Sequence, residues 1–320
     1  MNRKGSMTHN AKEWIYKPNS FNIEAVQGCN RRCEFCGTMG MEKALHFLDT
    51  NILMHALKLI QEANYVPRIR LGAHGEPTLH PNICNIVKII RTALPKSPIS
   101  LFTNGTVIAK KPELIDGLFN AGLNNLIVDE YSDSPMGKFI RANPIAQKYN
   151  IVEQGEGTSL LIGIKNNDKR ICIVPPIDGD KNTINRRICN QCGAATPPLA
   201  KPMNKKCSVI FREMTIRWDG NIAICCNDFR GYYFVTNIMN CKHLEDAWFH
   251  PRFESARKIL YKGERSFFPC NVCNVRGNRV GLLPDCAGKK DMPKPTEQDY
   301  AIARKVYPPL AVIEKRSWEK

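Results

Sequence analysis

Between residues 20 and 175, short apolar runs alternate with stretches whose apolar positions recur every three or four residues. That alternation restricts the chain to few architectures. FNIEAVQ (21–27), RIRLGA (68–73), ISLFTNG (99–105) and NLIVDEY (125–131) read as strands, with SLLIGI (159–164) and RICIVPP (170–176) as further candidates. Residues 50–63 place Ile52, Ala56, Leu59 and Ala63 on one helical face, and residues 82–93 do the same with Ile83, Ile86, Val87 and Ile90. PELIDGLFNAG (112–122) reads as a third helix with a glycine stop. Repeated βα units imply a parallel sheet with right-handed crossovers. Their number fits an α/β fold of the partial (β/α)6 TIM-like barrel type. The loops after its strands then share one face, so the cysteine loop after residue 27 and the loops at 75–77 and 103–105 should converge.

The pattern changes after residue 185. PPLAKPMNKKC (197–207) reads as a linker, and MTIRW and IAICC flank an Asp-Gly turn across 214–226, a strong hairpin signal. LEDAWFHPRFESARKIL (244–260) predicts a helix broken or kinked near Pro251, and the tail predicts a short helix over 296–305. The expected organisation is an N-terminal extension (1–19), a core barrel (20–185), a small cysteine-rich hairpin-plus-helix domain (186–290) and a basic, proline-containing tail (291–320).

No apolar run approaches the roughly 18 residues of a membrane span, and the first residues lack the apolar stretch of a secretory signal. The default compartment is therefore the cytoplasm, with no membrane partner. Thiols stay reduced there, so the 14 cysteines read as metal ligands rather than disulfides, with Cys84 and Cys172 as small buried hydrophobes. Of the net charge of +16, residues 165–320 carry +12. This excess points to a polyanionic partner or an anionic substrate, against a merely solubilising surface.

Cys29, Cys33 and Cys36 lie in one loop directly after the first strand. Four thiolates fill a structural cubane or zinc site, whereas three leave one iron with an open position. A zinc knuckle completed by a histidine such as His46 is the competing reading. The Cys29-x3-Cys33-x2-Cys36 spacing, with Phe35 before the third cysteine, resembles the signature of the radical S-adenosylmethionine enzymes. The resemblance implies a [4Fe–4S] cluster whose open iron chelates S-adenosylmethionine. One electron then cleaves the sulfonium to a 5'-deoxyadenosyl radical that abstracts a substrate hydrogen. GAHGEPTLHP (72–81) resembles the family's GGEP element, with Glu76 and the backbone near Gly75 implied at the methionyl ammonium and His74 as a minor departure. Thr103 and Asn104 match its ribose and carboxylate contact region. Asp129 and Glu130, after the next strand, are candidates for cofactor contact or for catalysis, and Arg141 resembles an arginine found near the cofactor.

Cys207-x12-Gly220-x4-Cys225, followed by Cys270-x2-Cys273, resembles the SPASM/twitch extension of these enzymes. It implies one auxiliary [4Fe–4S] cluster with four protein thiolates and no open site, the alternative being structural zinc. Cys189, Cys192, Cys226, Cys241 and Cys286 could build a second auxiliary cluster. The family resemblance further implies a reductant such as flavodoxin or ferredoxin, and an oxidoreductase or isomerase outcome. The basic second half favours a modified nucleobase in nucleic acid as substrate. A peptide- or protein-maturing enzyme or a small-metabolite dehydrogenase is the alternative. The rival of another class is a non-catalytic zinc protein that binds nucleic acid.

Overall fold

A computed structural model describes residues 17–275 apart from 42, 132, 134, 155–163, 166, 177–188 and 196–198. The strand candidate at 159–164, Cys286, the tail helix and nearly all of the N-terminal extension lie outside the described residues. In chain order the strands are β1 (Ser20–Ile23), β2 (Val26–Gln27), β3 (His46–Phe47), β4 (Arg68–Leu71), β5 (Ile99–Thr103), β6 (Asn125–Asp129), β7 (Asn150–Glu153), β8 (Arg170–Val174), β9 (Glu213–Ile216), β10 (Asn221–Ala223) and β11 (Phe234–Asn237). The helices are α1 (Thr50–Glu62), α2 (Ile83–Ala93), α3 (Thr106–Lys110), α4 (Glu113–Asn120), α5 (Met136–Ala142), α6 (Leu244–Trp248) and α7 (Pro251–Lys262).

All four residues of β1 are buried, so this strand has no wet face and must lie inside a sheet. It pairs in parallel with β4 on one side and with β9 on the other. The full order is β11-β10-β9-β1-β4-β5-β6-β8-β7, mixed because β10 and β11 run antiparallel. Among the described residues the two edge strands do not pair with each other, and no closed barrel forms.

The register sorts the two faces by chemistry. Ile216, Ile23, Leu71, Leu101, Leu126 and Ile171 stand side by side across six strands, each at most 1% exposed. One residue earlier, Thr215, Asn22, Arg70, Ser100, Asn125 and Arg170 form the matching row on the other face. Side chains alternate along a strand, so the apolar row lies on one face and this polar row on the other. Barrel interiors are ordinarily filled with branched apolar residues. A buried polar face is the informative exception.

Local chemistry accounts for the helices. Asp49 caps α1 by accepting from the Asn51 N–H at 2.6 Å. Its buried residues are Leu53, Ala56, Leu57, Leu59 and Ile60, followed by buried Ala63. The expected Ala56, Leu59 and Ala63 thus face the core, Ile52 is half-buried, and the face is wider than expected. In α2 the buried residues are those expected, Ile83, Ile86, Val87 and Ile90. Pro251 occupies the first turn of α7 and separates it from α6, where its missing N–H costs nothing. The Asp-Gly hairpin forms as β9 and β10, but β9 pairs with β1, so the hairpin extends the core sheet rather than standing apart from it. Among the described residues no helix is long and apolar enough to cross a membrane.

A buried ionic network locks that hairpin to the first strand. Glu24, just past β1, is fully buried, with Oε1 2.9 Å from His74 Nδ1 and Oε2 3.6 Å from Arg217 Nε. The Trp218 N–H donates to Oε2 at 3.1 Å, and Arg217 Nη2 donates to Gln27 Oε1 at 3.0 Å. Burial alone would raise the Glu24 carboxyl, but His74, Arg217 and the Trp218 N–H hold it below its ordinary range. Such a depressed carboxylate contributes stability above the ordinary value near 4.5 and loses it as the pH falls through the folded value. Glu24→Gln should therefore destabilise the fold at pH 7 by about 3–5 kcal/mol, the scale for a broken buried pair. Denaturant midpoints measured from pH 7 down to about 3 should fall less steeply in this variant than in wild type.

Candidate active site

Three loops meet at the ends of β1, β4 and β5. Gly28 and Gly75 form a parallel bridge, in which the Glu76 N–H donates to the Gly28 carbonyl at 2.9 Å. A Cβ on Gly75 would collide with the Val26 carbonyl and lie 2.5 Å from the Gly28 carbonyl, so only glycine permits this approach. Glu76 is 2% exposed and ties the second loop to the third. Its Oε1 accepts from Thr78 N (3.0 Å), Thr78 Oγ1 (2.5 Å) and Thr103 Oγ1 (2.7 Å), and Oε2 accepts from Asn104 N (2.7 Å). Asn104 Nδ2 closes the triangle by donating to Asn30 Oδ1 at 2.9 Å and to Cys29 Sγ at 3.5 Å.

These loops wall a cavity of about 960 Å³. Cys29, Cys33, Cys36, Phe35, Gly75 and Glu76 line it, as do Thr103, Asn104 and Asp129. Asn22 and Arg70 form its floor, both donating to Glu213 Oε2, at 2.9 and 2.8 Å. Phe35 stacks on Tyr131 with centroids 6.3 Å apart, and the Arg31 guanidinium lies 4.2 Å over the same ring. Arg31 also forms a bidentate pair with Asp133 and bonds the Cys33 thiol. Burial, and then the nearby Glu76 charge, push the Asp129 carboxyl up to about 7.

Two sequence candidates lie off the cavity wall. Glu130 Oε1 accepts from the Gly137 N–H at 2.9 Å, in the first turn of α5. Arg141 is half-exposed and pairs with Glu153. His46 does not complete a zinc knuckle with the three cysteines. It stacks on Trp218 at 4.4 Å, and among the described residues no three cysteines, histidines or carboxylates close to the spacing of a single metal ion.

The second cysteine set gathers behind the opposite wall. Cys225, Cys270 and Cys273 are buried and Cys207 half-buried, all within electrostatic reach of one another. The Val275 N–H donates to Cys273 Sγ at 3.4 Å, and the Val209 N–H to the Cys207 sulfur. Arg265, 1% exposed, lies beside them and donates to the carbonyls of Lys205, Lys206, Cys273 and Val275. No carboxylate pairs with it among the described residues. A buried guanidinium needs a counter-charge, which these four cysteine sulfurs would supply when bound to an iron–sulfur cluster. Converging sulfurs with N–H donors and a buried cation suit an iron–sulfur cube, which is larger than one ion and holds its thiolates further apart.

Glu24, His74, Arg217 and Arg265 are essential to this arrangement and are not evident as site residues in the sequence. Charges inside the apolar runs FNIEAVQ and MTIRW are the signal that could have found the first and third. His74, which stands where the GGEP element has glycine, is the hub of the network: its Nε2 also lies 3.2 Å from the Cys226 carbonyl. It is no minor departure.

Known proteins match on both halves. The radical SAM superfamily model matches residues 23–147, and an iron–sulfur cluster-binding domain model, SPASM, matches residues 207–274. The chain is a radical SAM enzyme carrying a SPASM-type auxiliary iron–sulfur domain. It is 23% identical over 256 residues to the S-adenosyl-L-methionine-dependent 2-deoxy-scyllo-inosamine dehydrogenase of Niallia circulans, covering 79% of this chain and 91% of that one. It is 26% identical over 161 residues to the GTP 3',8-cyclase of Trichodesmium erythraeum, 49% of this chain and 48% of the cyclase. A crystal structure of BtrN in complex with AdoMet and 2-DOIA superposes with a TM-score of 0.62 at 20% identity, over 81% of this chain and 93% of that one. That likeness shows the fold.

Two outcomes follow. Arg265→Met leaves the sulfurs of Cys207, Cys225, Cys270 and Cys273 without their adjacent buried cation and should lower the iron retained by the anaerobically reconstituted protein by about half. Gly75→Ala should weaken S-adenosylmethionine binding at least tenfold by calorimetry, because the collision separates the Gly28 and Gly75 loops.

Proposed function

We propose that the chain is a radical SAM dehydrogenase of a small polar molecule, with the oxidised centre a hydroxyl-bearing carbon. In this reading Cys29, Cys33 and Cys36 hold the cluster that binds S-adenosylmethionine, and Cys207, Cys225, Cys270 and Cys273 hold one auxiliary [4Fe–4S] cluster. The parallel strands of residues 20–185 are then the partial barrel, and residues 186–290 the auxiliary unit. The observation that carries the reading is the shared cavity. It has the three-cysteine loop on one side, the segments flanking the auxiliary thiols on the other, and Asp129 between polar walls. About 960 Å³ suits the cofactor's sulfonium end with a small ligand. The relative matched over 91% of its length is a dehydrogenase by name, which supports the small-molecule alternative over a modified nucleobase. The nucleic-acid reading rests on the basic charge of the sequence.

Oxidising a carbinol to a carbonyl removes one hydrogen atom, one proton and one electron. When bound, S-adenosylmethionine on its cluster supplies the hydrogen-atom acceptor and the auxiliary cluster an electron acceptor. The chain's own part is binding and proton transfer. Arg70 offers donors at the cavity floor, and Asp129, poised near neutrality, takes the hydroxyl proton. A flavodoxin or ferredoxin would provide the priming electron.

The test uses 2-deoxy-scyllo-inosamine, deuterated at its hydroxyl-bearing carbons, as probe with the reduced, reconstituted enzyme. Deuterium should appear in 5'-deoxyadenosine, with a ketone formed in equal amount. Release of 5'-deoxyadenosine without deuterium from this or related cyclitols, but with transfer from a peptide, would overturn the small-molecule reading. Turnover should rise with pH through about 7 as Asp129 ionises. Asp129→Asn should flatten that profile and slow turnover by about 10²–10⁴-fold.

A further inference from the structure

The charge of the chain and the charge of its cavity point to different ligands. Residues 165–320 carry most of the basic excess. Yet among the described residues none that this half contributes to the cavity wall is charged; its polar side chains there include Gln191, Asn227 and Asn274.

Two cations do line the wall, Arg31 and Arg70, and each already has a carboxylate. Arg31 forms its bidentate pair with Asp133 at 2.7 and 2.8 Å. Arg70, on β4, donates from Nη1 to Glu213 Oε2 at 2.8 Å, the two side chains being 13% and 3% exposed. Glu213 is the first residue of β9 and stands off the cavity wall, behind the guanidinium it holds. Asn22 Nδ2 donates to the same oxygen at 2.9 Å and to Thr215 Oγ1 at 3.4 Å. A ligand at the floor therefore meets a guanidinium whose charge is already cancelled. Nε of Arg31 and of Arg70 is buried without a partner among the described residues, so donor capacity remains where net positive charge does not. Arg68, two residues earlier on the same face of β4, is not on the wall. The other ionisable groups there, apart from the cysteines and Tyr131, are the carboxyls of Glu76 and Asp129.

Cancelled cations beside carboxyls suit a neutral polyol, or one that bears an ammonium group, and oppose a carboxylate or a phosphate. We propose that Glu213 is the specificity-determining residue of the cavity: by cancelling Arg70 from behind, it turns a cationic floor into an uncharged donor surface that takes hydroxyl oxygens and rejects anionic substrates. Selectivity is a difference of affinities, and here a charge that the substrate does not touch sets it against the anion. This rests on the small-molecule reading of the cavity and narrows it, in the direction opposite to the anionic substrate that the overall charge suggests.

The experiment uses the anaerobically reconstituted chain with S-adenosylmethionine bound and no reductant, so that ligands bind without turnover. Calorimetry compares 2-deoxy-scyllo-inosamine with two matched carbocycles, quinate, which carries a carboxylate, and its neutral amide of the same shape. The wild-type chain should bind the amide about tenfold more tightly than quinate. Glu213→Gln keeps an oxygen for Asn22 and Arg70 but leaves the guanidinium charge uncancelled, and should raise the affinity for quinate relative to the amide by at least about tenfold. Adding Arg70→Gln removes that charge as well and should return the ratio to near its wild-type value. Quinate bound as tightly as its amide by the wild-type chain would overturn the proposal without any variant. A folded Glu213→Gln chain whose ratio stays in place would also overturn it, by making the Arg70–Glu213 pair mere scaffold. Failure of all three probes to bind the wild-type chain would instead refute the small-molecule reading on which it stands.

Discussion

The arrangement depends on one buried charge cluster, Glu24 with His74 and Arg217. Each comes from a different part of the chain: the end of β1, the loop after β4 and the end of β9. Isolated, any of these charges would be too costly to bury; together, with the Trp218 N–H and the Gln27 side chain, they satisfy one another. The network fixes where the three-cysteine loop stands relative to the hairpin that precedes Cys225. It therefore sets the geometry between the two cysteine sites. His74 carries the connection further, through the Cys226 carbonyl and an edge contact with Phe229 at 4.8 Å, both on the cavity wall.

Charge balance organises the two sites differently. The first set of sulfurs is half-buried and meets two side-chain donors, Arg31 and the Asn104 amide. The second set is buried against Arg265, which has no carboxylate partner of its own among the described residues. That site is closed, with peptide N–H donors on Cys207 and Cys273. A half-buried set of sulfurs and a buried one thus stand on either side of a polar cavity.

The fold was legible where periodicity is strong. The strands at 20–23, 68–71, 99–103 and 125–129 and helices α1, α2 and α4 follow directly from apolar spacing. Helix α3 has five residues, too few to display a period, and β7 is an edge strand without a buried face, so neither has a local signature. The parallel pairing of β9 with β1 is a long-range event that the hairpin pattern does not encode. At the site, motif spacing locates Cys29, Cys33, Cys36, Glu76, Thr103 and Asn104 on one cavity, because each follows a strand of the same sheet. Glu130 and Arg141 lie off it, since Glu130 is engaged by the Gly137 N–H in the first turn of α5 and Arg141, on α5 itself, pairs with Glu153 of β7. Arg265 escapes detection because its meaning arises only when distant turns are brought together.

The most direct measurement is Mössbauer spectroscopy of the anaerobically reconstituted wild-type chain, with and without S-adenosylmethionine. The expected result is about eight irons per chain in two cubes, with one cube gaining a distinct iron site on cofactor addition and the other unchanged. A single cube, two cubes that ignore the cofactor, or zinc in place of iron would contradict the account.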